Sequence, residues 1–262
     1  QFKEKIDPIR LPFYQAEREP RNGSNEEQVV FRLDKNVSEA LAAIAKEENG
    51  TMFTILATIL ALLIEKYTHQ DNIILGTPVS NRKHLSLEDQ IGLYLSTLPL
   101  KIEVRSTEYF NEMVRRSSRS VLEALGHQAY PFDKLVNDLR LAGVLGSKPI
   151  FNVMINMVGN DYFEKKQDHM PVQEKIDITV FPVPYHYSKY DLIMYCSLND
   201  GILDISLEYN TDHFSEADII QFGNSYQALI RNIIINPNQR ISYYSIFDKP
   251  DFSIASALTP TK

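Results

Sequence analysis

The 262-residue chain holds a single cysteine, which excludes an internal disulfide framework and any thiolate metal centre. Cys196 lies in the apolar run Leu192 to Leu198 and reads as a buried structural thiol rather than a nucleophile. Long hydrophobic runs are also missing. The longest, Ile55 to Ile64, is interrupted by Thr58 and stops at Glu65-Lys66, well short of the ~20 residues a bilayer span needs. Basic charge is scarce and scattered: 27 Lys+Arg stand against 34 Asp+Glu for a net charge of -7. The doublets Arg115-Arg116 and Lys165-Lys166 are too short to track a phosphate backbone, so nucleic acid is not an expected partner. The opening QFKEKIDPIR has neither the apolar core nor the cleavage site of a signal peptide. A reducing cytoplasm is the expected location. No G-x-S-x-G elbow and no glycine-rich phosphate loop occurs, which argues against that hydrolase class and against nucleotide binding. His69, His84, His127, His169, His186 and His213 are never paired at helical i, i+4 spacing. Each is expected to be a surface or hydrogen-bonding group, and no metal site is expected.

What the chain does have is core material, with 44% hydrophobic residues, and clear periodicity. Gln28 to Leu33 reads as a short strand. Asn36 and Glu39 suggest a capping box for a helix that buries Leu41, Ile44 and Ala45 and stops at Asn49-Gly50. Thr51 can cap a second helix with Met52, Ile55, Leu56, Ile59, Leu60 and Leu63 at helical spacing. Its other face carries Phe53, Leu62 and Tyr67, so little of it can meet water. Ile73 to Val79 reads as a buried strand. Leu98, Leu100, Ile102 and Val104 alternate with Pro99, Lys101 and Glu103, the period of a strand with one face in a core. Helices are expected over Thr107 to Leu125 and Phe132 to Leu139, the second started by Pro131. The rest is mostly strand: Ile150 to Met157, Ile176 to Pro184 and Asp191 to Leu198. A hairpin turn at Asn199-Asp200-Gly201 leads to a strand carrying Leu203, Ile205, Leu207 and Tyr209. Ser215 with Asp218 caps a last helix. The segment 1–27 reads as a connector, with QFKEKI as the end of a helix begun elsewhere, and 248–262 as a linker tail. Gln1 is no initiator methionine, and the chain is expected to be a piece of a longer polypeptide. The pattern predicts an α/β domain, an α+β two-layer sandwich with a mixed sheet covered by helices.

Five sequence words go further. Ile91-Gly92-Leu93-Tyr94-Leu95-Ser96-Thr97-Leu98-Pro99 resembles the I-G-x-F-V-N-T-L-P word of condensation domains from nonribosomal peptide synthetases, with Ser96 where that family has Asn. His127 to Val136, HQAYPFDKLV, resembles H-Q-x-Y-P-F-E-K-L-V. Ser147 to Val153 resembles R-N-P-L-F-x-V without its Arg and Asn. Ser188-Lys189-Tyr190-Asp191-Leu192 and Leu207 to Asp212 are similar to the closing words, and the order of all five is the family's order.

This resemblance implies a chloramphenicol-acetyltransferase-like lobe over residues 28–247, the C-terminal of two lobes that form a V around a tunnel. Donor thioester and acceptor amine arrive on the 4'-phosphopantetheine arms of two peptidyl carrier proteins, and the amine attacks the thioester. The histidine motif H-H-x-x-x-D-G that assists this chemistry is absent here, so no catalytic residue is expected in the chain. By the same resemblance Arg82 pairs with the aspartate of the missing motif, where the alternative is a solvated arginine. Tyr94, Ser96, Thr97, Asn152, Asn156, Ser188, Tyr190 and Asp191 become tunnel candidates. His127 and Tyr130-Pro131-Phe132 are expected to fix a loop and helix start. The implied partners are the N-terminal lobe, the donor and acceptor carriers and a following adenylation domain, with no cofactor bound directly. Two other readings stay open: a degenerate or epimerisation-type domain that recruits partners, and an acyltransferase of the same fold using coenzyme A.

Overall fold

The computed structural model describes residues 2, 4–15, 25–82, 85–87, 89–158 and 187–247. Among them a six-stranded mixed sheet has the order β1-β6-β5-β4-β2-β3. The strands are β1 (Glu26–Leu33), β2 (Asn72–Ser80), β3 (Leu95–Glu103), β4 (Val153–Val158), β5 (Leu192–Asn199) and β6 (Ile202–Asn210). The helices are α1 (Lys35–Glu47), α2 (Met52–Thr68), α3 (Phe110–Gly126), α4 (Phe132–Leu141) and α5 (Glu216–Ile235). β2, β4 and β5 run parallel, and β3, β6 and β1 close the two sides antiparallel.

Alternation decides which side of each strand is buried. Ile73 and Leu75 on β2, Ile102 on β3, Val153 and Ile155 on β4, Met194 and Cys196 on β5, and Leu203, Ile205 and Leu207 on β6 enter one core with α1, α2 and α5. α2 runs through the middle of this core, and every residue from Ile55 to Ile64 is fully buried. That explains why its pattern is apolar nearly all round. Burial pushes the Cys196 thiol up to about 12, so it stays protonated and inert at neutral pH. The opposite face of the sheet is covered more thinly. There Ile74, Met154 and Ile193 pack with Leu139 of α4, with Phe151, and with Ile6 of the N-terminal segment.

Several local expectations are met by named groups. The Thr51 hydroxyl accepts from the Thr54 amide and caps α2, and Ser215 with Asp218 forms the capping box of α5. Asp200 and Gly201 both have positive φ, 50° and 82°, between the paired residues Asn199 and Ile202. This is the backbone of a two-residue primed turn.

Others are corrected. Asn36 is not a cap: the chain leaves β1 at Leu33 and turns at once, so Asp34 is the N-cap, and no side chain closes a capping box there. α3 begins at Phe110 rather than Thr107, because Glu112 reaches back to accept from the Tyr109 amide at 3.1 Å. The N-terminal stretch is not the end of a helix; its described residues, Phe2 and 4–11, hold a bend at Glu4 and otherwise no regular element. Pro8 and Pro12 interrupt helical bonding there, and Ile6, Ile9 and Leu11 are instead each buried against the sheet domain at 4–5% exposure. β1 starts two residues before residue 28, at Glu26. The predicted strand Ile176 to Pro184, the tail 248–262, His84, His169 and His186 lie outside the described residues.

Candidate functional site

The eight tunnel candidates fall into two groups at opposite ends of the sheet. Tyr94, Ser96 and Thr97 stand where β3 begins, opposite the end of β2, with Ser96 paired to Val79 and Thr97 to Pro78. Asn156 joins them near the end of the parallel strand β4. Asn152, Ser188, Tyr190 and Asp191 gather at the other end, where β4 and β5 start. Asn152 and Asn156 share strand parity but are separated by about 13 Å at ~3.3 Å per residue.

At the carboxyl end of the parallel strands the loop after β2 is tied to itself. The Arg82 guanidinium donates to the carbonyls of Leu87 and, at 3.4 Å, of Gly92. It also lies over the Tyr94 ring, 4.2 Å from the centroid, and the Tyr94 hydroxyl donates to Gln90 at 2.5 Å. Asn81 closes the base of the loop by donating its amide to the Tyr94 carbonyl at 3.0 Å. Arg82 is therefore a brace of its own loop. A guanidinium's fixed fork suits two carbonyls and a ring face together, which a lysine could not match.

Behind this loop a cleft of about 240 Å³ opens between the sheet and helices α2 and α3, lined among others by Phe53, Thr77, Val79, Leu98, Leu100 and Val121. Thr77, Leu98 and Leu100 lie on one sheet face, as their pairing requires. Thr77 is 5% exposed. Nothing in the sequence pattern singled it out, beyond being a hydroxyl inside an otherwise apolar strand.

The amino end is a clamp. Asn152, 8% exposed, accepts from the Ile9 amide at 3.0 Å and donates to the Ile9 carbonyl at 2.7 Å. The same Nδ2 also donates to Asp191 at 2.7 Å. One side chain thus holds the backbone of the N-terminal strap as a strand neighbour would. His213 Nε2 stands 3.9 Å from Asp191, and Tyr14 stacks on the His213 ring at 4.6 Å between centroids. Burial, with the Asp191 charge second, raises the Tyr14 phenol, partly opposed by Arg10. Ser188 is tied in a similar way: its amide donates to Asn25 at 3.0 Å, and its hydroxyl donates to the Tyr190 carbonyl at 2.6 Å. Tyr190 stacks on Phe151 at 5.6 Å. Phe151 in turn lies directly over Gly76, where a Cβ would come within 2.1 Å of the ring.

His127 ends α3 as its C-cap, and the Tyr130 hydroxyl donates to Asp138, so this word fixes the α3–α4 connection as expected. Among the described residues no group of three or more His, Cys, Asp or Glu side chains is placed to hold a metal. No single described helix is long and apolar enough to cross a membrane.

A mixed six-stranded sheet, helix-covered chiefly on one face and with its loops and cleft at the carboxyl end of the parallel strands, is the chloramphenicol-acetyltransferase-like architecture. Solved structures superpose on it. The four-domain nonribosomal peptide synthetase holo-AB3403 matches 96% of this chain and 20% of its own with a TM-score of 0.75 at 20% identity. The X-domain from teicoplanin biosynthesis matches 93% of this chain and 54% of its own, TM-score 0.75 at 22% identity. The chain belongs to the condensation-domain family, whose model matches residues 1–251. Relatives include surfactin synthase subunit 1 of Bacillus subtilis (strain 168), 26% identical over 89% of this chain. Tyrocidine synthase 2 of Brevibacillus parabrevis is 26% identical over 82% of this chain. The chain spans 6% of the length of each of those two synthetases, and about half of the X-domain chain.

Proposed function

We propose that residues 28–247 are the C-terminal lobe of a nonribosomal peptide synthetase condensation domain. The parent domain joins a donor thioester to an acceptor amine, both delivered on phosphopantetheine arms of carrier proteins. Residues 1–27 lead in from an N-terminal lobe that supplies the H-H-x-x-x-D-G motif, residues 248–262 lead out towards an adenylation domain, and the assembly works in the cytoplasm. The observation that carries this reading is the family match over 1–251 in a sequence with no adjacent histidine pair. Coverage of 54% of the X-domain and 49% of the first condensation domain of the CDA synthetase agrees with one lobe of two.

In this reading the chain contributes no catalytic base. Its part is to hold one wall of a water-poor passage in which amine and thioester are oriented, since orientation supplies much of the rate and exclusion of water protects the thioester. Arg82, already fixed over Tyr94, pairs with the aspartate of the partner lobe's motif and holds that loop in register. Such a pair sets geometry more than it adds stability. Tyr94, Ser96, Thr97 and Asn156 form the wall next to it. The test is amide formation from loaded carrier proteins. The 262-residue chain is expected to give none, and a polypeptide extended by an upstream lobe with the histidine motif is expected to give product. Turnover by the 262-residue chain alone refutes the reading.

A further inference from the structure

A pocket of about 290 Å³ opens beside the Asn152 clamp, where β4 and β5 start. It lies at the end of the sheet opposite the loop braced by Arg82. Three cations line it, Arg10, Lys148 and Lys189, against a single lining carboxylate, Asp191. Such a gathering runs against the chain's net charge of -7. Arg10 and Lys189 are exposed, and neither has a carboxylate partner among the described residues. Lys148 has Asp7 at 3.3 Å, both side chains half-exposed. The walls are flat faces: Tyr14, Tyr190, Pro8 and Pro149. Tyr190 is held by stacking on Phe151, and Tyr14 by stacking on His213. Burial raises the Tyr14 phenol, and the Asp191 and Arg10 charges then pull it in opposite directions, so both charges act within the pocket. The Asp191 carboxylate is half used. Its Oδ2 accepts from Asn152 at 2.7 Å, whereas Oδ1 has His213 Nε2 at 3.9 Å, beyond hydrogen-bond reach.

We propose that this pocket binds a nucleoside monophosphate, with the phosphate among Arg10, Lys148 and Lys189, the base against the tyrosine and proline faces, and a ribose hydroxyl donating to Asp191 Oδ1. A phosphate dianion matches a cluster of cations, and an arginine fork can engage two of its oxygens at once. Planar bases stack on aromatic side chains whatever their sequence. A carboxylate that accepts from a ribose hydroxyl is the device nucleotide-binding folds use to place the sugar. Side-chain cations do this work without the glycine-rich loop that the sequence lacks. An apolar ligand would leave the three cations unused, and a simple anion would leave the flat walls and Asp191 Oδ1 unused. The volume is about twice the ~150 Å³ that admits a benzene ring, enough for a ring and a sugar with the phosphate at the open rim.

The probes are adenosine monophosphate, adenosine, inorganic phosphate and the dideoxy monophosphate that lacks both ribose hydroxyls, each titrated calorimetrically into the 262-residue chain at low salt. Adenosine monophosphate is expected to bind saturably with a Kd on the order of 0.1–1 mM. Adenosine and phosphate alone are each expected to bind at least about 10-fold more weakly, since each forgoes half of the contacts. The dideoxy compound should lose about 3- to 10-fold, one hydrogen bond to Asp191. The pair Arg10→Gln/Lys189→Gln should weaken binding by about 10-fold or more, whereas Lys46→Gln/Arg119→Gln, which removes the same charge from α1 and α3, should leave Kd within about 2-fold. All four side chains are exposed, so the fold is spared, and thermal melts verify this. No saturable binding of adenosine monophosphate up to about 10 mM, equal affinity for adenosine or phosphate alone, or an equal loss in the control pair overturns the proposal. Equal affinity for the dideoxy compound overturns the Asp191 contact. The pocket stands apart from the Arg82 loop, so none of these outcomes bears on amide formation by the lobe-extended polypeptide.

Discussion

Replacing Asn152 by alanine tests whether a single side chain clips the N-terminal strap onto the sheet. The substitution removes the bond from the Ile9 amide at 3.0 Å, the bond to its carbonyl at 2.7 Å and the bond to Asp191 at 2.7 Å. It strands two backbone groups of a residue that is 4% exposed. Leaving a buried donor or acceptor unmade costs about 1–3 kcal/mol each. A pocket lined by Ile9, Asn152 and Asp191 opens beside them, so water can repair part of the loss. The expected cost is thus near the lower end, about 2 kcal/mol, or a fall in Tm of roughly 4–8 °C for a chain this size. Urea unfolding measures the loss. Hydrogen exchange at the Ile9 amide and limited proteolysis of the strap show where it arises. The aspartate variant sharpens the test: it keeps an acceptor for the Ile9 amide, loses the donor, and places a second carboxylate against Asp191, so it is worse than alanine at pH 7 and recovers as the pH falls. A loss below about 0.5 kcal/mol with unchanged Ile9 protection would refute the clamp.

Gly76→Ala drives a Cβ into the Phe151 ring, at 2.1 Å before relaxation. It should cost about 3 kcal/mol, the upper part of the range for overpacked cores, and the double variant Gly76→Ala/Phe151→Leu should recover most of that in denaturant melts. Glu65 has a carboxylate oxygen buried without a partner among the described residues, and burial raises its pKa against the weaker opposing pull of Lys66 and His69. The folded state therefore holds the proton more tightly than the unfolded one, and stability is lost as pH rises above the ordinary carboxylate range of 4.5. Glu65→Gln should raise the melting temperature at pH 7 and change it little at pH 3, and a gain of equal size at both pH values would contradict this assignment.

Period and caps carried most of the fold. The 2-residue alternation of β6 and the helical stripe of α5 put Leu203, Ile205, Leu207, Phe222 and Tyr226 in the core, as the pattern requires. Turn chemistry located the β5–β6 hairpin. Starts of helices were less legible, because Asp34, Asn36 and Thr107 are all good caps by residue type while Tyr109, where α3 is capped, is not. The choice among them fell to where β1 ends and which carboxylate reaches back. In the sequence QFKEKI resembles a helix end, and the strap's packing is hidden because its apolar residues are isolated among prolines and charges. Only the folded sheet turns them into core: Ile6 packs on its thinly covered face, and Ile9 and Leu11 join the main core.

The sequence by itself determined the family, the strand and helix content, and the absence of a histidine pair, since these depend on residue order and local period. The tertiary structure alone decided how the candidates divide. Asn152 and Asn156 look alike on one strand face, yet one is spent clasping the Ile9 backbone and the other stands near the loop braced by Arg82. It also exposed Thr77, whose hydroxyl is unremarkable in a strand until pairing sets it beside Leu98 and the packing of α3 leaves a cleft before it. Hydrogen-bond partners more than a hundred residues apart, and the volume that helices fail to fill, have no signature along the chain.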